Sequence, residues 1–210
     1  MRSSDPDPRN PWPHDMVLRI DEPRDLTSLL FVREAWRLPI DDVPALDGVP
    51  DVGDSARPAA FEEAEVVGRW REQWARGLSM HTPGDRTIRA PDARTARLLR
   101  ELDDAALVET VAADRLVASP GIDREAFEAW HATLHDDRRL PLAEHPERIC
   151  VTALADAWRR GLESIVQLPY AGFHAERIHS STLVVSRTAR HDPELYRRAL
   201  AAPIGGGPQR

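Results

Sequence analysis

A chain of 210 residues with 41% hydrophobic and 30% charged residues has the composition of a folded protein that buries one substantial core. Its net charge of −7 opposes a general attraction to nucleic acids or anionic membranes, and no apolar run approaches the ~20 residues of a membrane-spanning helix. No signal-peptide pattern opens the sequence. We therefore expect a cytoplasmic protein that binds neither nucleic acid nor membrane.

All 28 basic residues are arginine, and this usage is typical of a GC-rich genome such as that of an actinobacterium. Without lysine, the chain offers no amine for a Schiff base and no phosphate-binding lysine of the Walker or kinase type. The single cysteine, Cys150, excludes an internal disulfide and a multi-thiolate zinc site. The glycine and serine motifs of dinucleotide-binding proteins and hydrolases are also missing, so we predict no cofactor.

The first third of the chain predicts a tail, a strand, a helix and a loop. Residues 1–13 are rich in proline and predict a flexible tail, whereas residues 14–202 predict a single globular domain. Residues 16–20 read as a strand. Residues 23–36 read as a helix, although an apolar run inside them also fits a strand. Residues 39–58 contain four prolines and five aspartates, which predicts an acidic, Pro-rich loop.

The middle of the chain predicts helices. Apolar residues at helical spacing run over 59–76, and the Arg-Gly pair at 76–77 is a stop signal. Further helical patterns cover 92–118 and the residues after Asp123, which is a favourable cap. Residues 95–134 have the outline of a helix-turn-helix module. Acidic residues on its last helix argue against contacts with phosphates, in line with the expectation that nucleic acid is not a partner.

Two histidines on the last of these helices have the spacing of metal ligands. His131 and His135 lie four residues apart and would share one helix face, where a third ligand such as His145 would complete a zinc or iron site. The metalloprotease motif requires Glu after the first His, and Ala132 occupies that position. We predict a solvated helix face without metal, and a metal-dependent hydrolase is a third interpretation.

The C-terminal quarter predicts two strands between two helices. A helix is predicted from Pro146 to Arg160 with a stop at Gly161, and another from Asp192 onward. Between them, residues 165–168 and 183–185 are short, apolar and rich in branched side chains, which is typical of buried strands.

The predicted fold class is α+β: a mainly helical single domain with a small, about three-stranded sheet. Its strands would be the two C-terminal ones and the strand near 16–20, and the direction of the C-terminal strands is left open. Residues 203–210, with three glycines in a row, predict a second flexible tail.

A polar loop at 170–181 follows the first of the two C-terminal strands. Ligands collect at the carboxyl ends of strands in open α/β sheets, so this loop is the default position for a site. His174 and His179 would be its acid and base, and Tyr170 and Arg177 would bind the ligand, with Arg177 holding a carboxylate or phosphate. An enzyme acting on a small anionic substrate is therefore one functional interpretation.

The leading interpretation is a non-catalytic protein-binding or regulatory module. Six tryptophans are many for one core, and tryptophan is enriched where proteins meet. The partner would be another protein or a second copy of this chain. This hypothesis requires an exposed tryptophan within an apolar patch.

Overall fold

The computed structural model describes residues 12–81, 116–134 and 140–203. Within them, the α+β class predicted from the sequence is confirmed, with seven helices and a sheet of four strands where about three were expected. The strands are β1 Arg19–Asp21, β2 Ser164–Leu168, β3 Ala175–His179 and β4 Thr182–Ser186. The helices are α1 Arg24–Ala35, α2 Glu63–Met80, α3 Arg124–Thr133, α4 Pro146–Ile149, α5 Val151–Arg159, α6 Arg187–His191 and α7 Pro193–Leu200.

Several predicted segments lie outside the described residues. They are most of the tail at 1–13, nearly all of the tail at 203–210, and the helical region at 92–118 up to its last three residues. None of the helices that the structure describes has both the length and the apolar character needed to cross a membrane.

The sheet has the order β1-β2-β4-β3, in which the first three strands are parallel and β3 runs antiparallel along β4. The strand predicted at 16–20 is shifted, because only Arg19 to Asp21 have partners on β2. Met16 instead bonds through its backbone N–H to the carbonyl of Pro13 at 3.1 Å, and its side chain is fully buried. Met16 and Leu18 of this segment lie in the core, whereas Val17 is exposed.

Each face of the sheet is covered by its own hydrophobic cluster. Val166 and Val184 face a cluster that contains α1 and residues of α2 and α3. Ile165, Leu183 and Val185 point the other way, into a cluster with α5 and α7. This alternation follows from the two-residue period of a strand, and it explains why β2 and β4 are buried along their whole length.

Helix α2 continues past the predicted stop at residues 76–77. A Cβ placed on Gly77 would come within 2.5 Å of the Cδ2 atom of Leu26, so the glycine allows α2 to pack closely against α1. Gly161 occupies the same Arg-Gly pattern with a φ of 92° and does end its helix, directly after Arg160. The same Arg-Gly sequence therefore serves close helix packing at Gly77 and ends a helix at Gly161.

The helices at the C-terminus follow their caps. Asp192 accepts hydrogen bonds from the backbone N–H groups of Glu194 and Leu195 and begins α7, as predicted. The helix predicted from Pro146 is interrupted at Cys150, whose φ of −105° and ψ of 21° are not helical. The Cys150 thiol is buried, it donates to the carbonyl of Pro193 at 3.6 Å, and burial raises its pKa.

His81 fastens the end of α2 to the first strand and helix. Its Nδ1 lies 3.2 Å from Oδ2 of Asp21, and its Nε2 lies 3.8 Å from Oδ1 of Asp25. The carboxylates of Asp25 and Asp21 raise the pKa of His81 above its ordinary value of 6.5. The protonated imidazole is therefore favoured in the folded protein.

We expect the contribution of His81 to stability to be present below about pH 6.5 and to be lost as the pH rises through the raised pKa of the folded state. The wild-type protein and a His81→Gln variant should differ in their free energy of unfolding by about 1 kcal/mol or less at mildly acidic pH, because the cluster is partly exposed. Urea unfolding at a series of pH values checks this. A difference that stays constant or grows with pH would contradict it.

Candidate functional site

The segment predicted as a loop at 170–181 contains β3, the strand that the sequence did not predict. Tyr170 and His174 precede this strand, whereas Arg177 and His179 belong to it, and side chains alternate between the two faces of the sheet along a strand. His174 and Tyr170 lie on the face covered by α1 and α2, and both line a cavity there. Arg177 and His179 do not line this cavity. The predicted group of four is therefore not one site.

Arg177 belongs to the opposite face. It pairs with Leu183 of β4, which points into the cluster with α5 and α7. The guanidinium donates to the carbonyl of Ser180 and is almost completely buried, and this burial lowers its pKa. His179 is exposed beyond an irregularity of the strand between Arg177 and His179.

The cavity has a volume of about 440 Å³ and lies between β3, the C-terminal half of α2 and the acidic loop. Its apolar wall is formed by Trp74 and Leu78 of α2 together with Ile178 and Val184 of the sheet. Its polar groups come from two separate parts of the chain, the acidic loop and the segment after β2: Asp41, Asp42, Tyr170, His174 and Glu176.

The acidic loop is held against the cavity by hydrogen bonds. Arg33 of α1, itself buried, donates to the carbonyls of Val43 and Pro44 at 3.0 and 2.9 Å. The backbone N–H of Ala171 donates to the carbonyl of Ala45 at 2.8 Å, next to an isolated bridge between Leu46 and Tyr170. These contacts fix the positions of Asp41 and Asp42 at one edge of the cavity.

Tyr170 and His174 form the polar centre of the cavity. They are 2% and 5% exposed, and their rings meet edge to face with centroids 4.9 Å apart. Oε2 of Glu176 lies 3.8 Å from Nε2 of His174, beyond hydrogen-bonding distance. Within the part of the chain that the structure describes, neither the Tyr170 hydroxyl nor the His174 ring has a hydrogen-bond partner. Their polar atoms are not completely enclosed by protein, so they can bond to a molecule that occupies the cavity.

Burial shifts the pKa of all three central groups toward the neutral form. It lowers the pKa of His174 to about 4, so the imidazole is uncharged at neutral pH. Burial raises the pKa of the Tyr170 hydroxyl and that of the Glu176 carboxyl. The result is a site that exposes a neutral imidazole and a neutral phenol to whatever enters.

A second cavity, of about 310 Å³, lies near the carboxyl ends of β1 and β2 and is lined in part by Glu147 and Arg190. Their side chains form a buried ion pair, with Nε to Oε1 at 2.8 Å and Nη2 to Oε2 at 3.1 Å. The remaining Nη1 donates to Gln167 at 2.8 Å. Because these charges already satisfy one another, they leave less for a ligand than the groups around Tyr170 do.

The tryptophans do not form an exposed face. Trp12, Trp36 and Trp70 are buried. Trp74, Trp130 and Trp158 are partly buried and pack against the two clusters. The apolar tryptophan patch required by the protein-binding hypothesis is therefore not found on this structure.

His131, predicted on a solvated helix face, is buried at 8% exposure, and its ring centroid lies 5.4 Å from that of Phe127. His135 lies outside the described residues. His145 is bonded to the carbonyl of Leu140 at 3.1 Å through Nε2. Among the residues that the structure describes, no three His, Cys, Asp or Glu side chains are grouped as metal ligands.

Sequence reasoning missed Glu176, Trp74 and the two aspartates as members of the site. The proline and aspartate content of residues 39–58 predicts the acidic loop, but the contact of this loop with the segment after β2 depends on the tertiary fold. A comparison of the chain with protein-family models, with curated proteins and with solved structures found no match.

Proposed function

We propose that this protein binds a small molecule in the cavity around Tyr170 and His174, and that it does so without catalysing a reaction. The observation that carries the proposal is the pair of nearly buried polar side chains that line the cavity without a hydrogen-bond partner among the described residues. Such groups offer a ligand donors and acceptors inside a largely apolar cavity, and small-molecule sites typically use a few polar groups of this kind to orient the ligand.

Binding fits the site better than acid–base catalysis. A general base works best when its pKa lies near the pH of the reaction, and burial lowers the pKa of His174 to about 4. The anionic substrate of the enzyme interpretation would also lose its anchor, because Arg177 faces the other side of the sheet. The partner protein and the metal-dependent hydrolase stay predictions from the sequence.

The chain has two tyrosines, and they provide a matched test of the unpaired hydroxyl. Tyr196 is fully buried and donates to Oε1 of Glu147 at 3.3 Å, so Tyr196→Phe should lower the free energy of unfolding by about 1–2 kcal/mol. Tyr170→Phe should change it by less than about 0.5 kcal/mol, or raise it. Urea unfolding of both variants without ligand checks this. Equal losses would show that the Tyr170 hydroxyl is already bonded.

Ligand binding itself is tested by a fragment screen with ligand-observed NMR on the full chain. Ala171 is exposed at the edge of the cavity, and Ala171→Trp should block the cavity while leaving the fold intact. We expect fragments that bind the wild-type protein, lose binding in Ala171→Trp and bind more weakly to Tyr170→Phe. A screen without hits, or hits that bind Ala171→Trp equally well, would overturn the proposal.

We place this activity in the cytoplasm. The support is compositional: one cysteine in 210 residues allows no internal disulfide, and a thiol buried as Cys150 is suited to a reducing compartment.

A further inference from the structure

Among the residues that the structure describes, the charged side chains that line the cavity are acidic. Its lining carries the carboxyl groups of Asp41, Asp42 and Glu176, and among the described lining residues there is no arginine. Arg71 lies at the edge of the cavity, and its Nη1 and Nη2 atoms donate to the Asp42 carboxylate at 2.6 and 2.8 Å. This ion pair neutralises one of the three acids. Arg33 also acts on the Tyr170 hydroxyl, but it is paired with Glu34 at 2.8 Å, so the two remaining lining acids favour a cation over an anion.

Glu176 is the acid whose position is most informative. Its side chain is only 36% exposed, and its neighbour within 4 Å, His174, is uncharged at neutral pH. In the described part of the chain, no arginine forms an ion pair with it. A half-buried carboxyl group without a cationic partner is costly, and a positively charged ligand would remove that cost.

The hydrogen-bonding groups have the same preference. A primary ammonium group has three N–H donors and no acceptor. The cavity offers three acceptors close together: the phenolic oxygen of Tyr170, one ring nitrogen of neutral His174 and the carboxylate of Glu176. A carboxylate or phosphate ligand would find at most the two donors of the neutral groups, and Glu176 would repel it.

The remaining wall suits an apolar body. Trp74 lies in this wall, stacked on Trp70 with centroids 4.9 Å apart, and Leu78 and Ile178 continue the apolar surface. The face of an indole attracts cations and also packs against flat rings. Resting on the function proposed above, we infer that the ligand is a small organic amine that carries a flat apolar group and is held by Glu176, His174 and Tyr170.

Three probes with the same phenyl body and different heads separate the ligand classes: phenethylamine, 2-phenylethanol and 3-phenylpropanoate. Their affinities for the full chain are measured by calorimetry at neutral pH and low salt. We expect phenethylamine to bind about tenfold or more tightly than the other two, because a hydrogen bond to a charged group is the stronger kind. Equal affinities, tighter binding of the alcohol or acid, or no binding of the amine would overturn the inference.

The charge of Glu176 is tested by Glu176→Gln, which keeps the shape of the side chain. It should weaken phenethylamine about tenfold and leave 2-phenylethanol unchanged, whereas the control Glu65→Gln, on the exposed side of α2, should change neither. An amine affinity that stays within about twofold in Glu176→Gln also contradicts the inference. If the alcohol or acid binds and Ala171→Trp abolishes that binding, the proposed function stands and only the ligand class is wrong.

Discussion

Replacing Glu147 by Leu should lower the free energy of unfolding by about 3–5 kcal/mol. The two side chains of the Glu147–Arg190 pair are 6% and 7% exposed, and the carboxylate accepts two hydrogen bonds from the guanidinium. Without Glu147, the charge of Arg190 remains buried with Gln167 at 2.8 Å and the more distant carboxylate of Glu22 at 3.9 Å. Most of the loss comes from that poorly compensated charge and not from the missing bonds themselves.

The double variant Glu147→Leu with Arg190→Met is the control for this explanation. It removes both charges and keeps apolar volume, so it should recover most of the stability lost in the single variant. Urea unfolding of the wild type, both single variants and the double variant gives the coupling energy. A Glu147→Leu variant within about 1 kcal/mol of the wild type, or a double variant as unstable as the single one, would show that the pair is not buried as described.

Replacing Trp70 by Ala should cost about 3–5 kcal/mol. The indole is 1% exposed and fills the space between α1 and α2. Its Nε1 donates to the carbonyl of Leu29 at 2.6 Å, and its ring stacks on Trp74 at an interplanar angle of 11°. Removing it therefore leaves a large cavity and deletes a buried hydrogen bond at the same time.

Trp74 provides the matched control because it stacks on the same indole but is only partly buried. Trp74→Ala should cost about 1–2 kcal/mol, since less apolar surface is lost from the core. The free energies of unfolding of both variants, from urea titrations, decide the matter. If Trp74→Ala is as destabilising as Trp70→Ala, the contact between α1 and α2 depends on the indole pair and not on the buried ring alone.

The parts of the fold that the sequence predicts correctly have local causes. Asp192 followed by Pro193 begins a helix whatever surrounds it, and the apolar runs at 165–168 and 183–185 are recognisable as buried strands. β3 was missed because Ala175–His179 carries two charges and a histidine in five residues. It forms a strand through hydrogen bonds to β4, which no local pattern shows.

Long-range contacts, which local sequence patterns do not show, also determine which residues line the cavity. Tyr170 and His174 are predicted as site residues because they follow a strand, and both line the cavity. Arg177 was grouped with them because it is near in sequence, but the alternation of β3 turns it to the other face. Trp74 and Asp41 lie more than 90 residues before Tyr170 and His174 in the chain. They reach the cavity only through tertiary packing, which the sequence pattern does not show.

The charges on β3 also affect the tendency of the protein to aggregate at high concentration. In the described sheet, β3 is an outermost strand, and the outer backbone groups of such a strand can pair with another chain. Glu176, Arg177 and the irregular register before His179 make that edge a poor template for intermolecular β-pairing. At the opposite edge, β1 is only three residues long. Both edge strands of the described sheet are therefore poor templates for pairing with another chain.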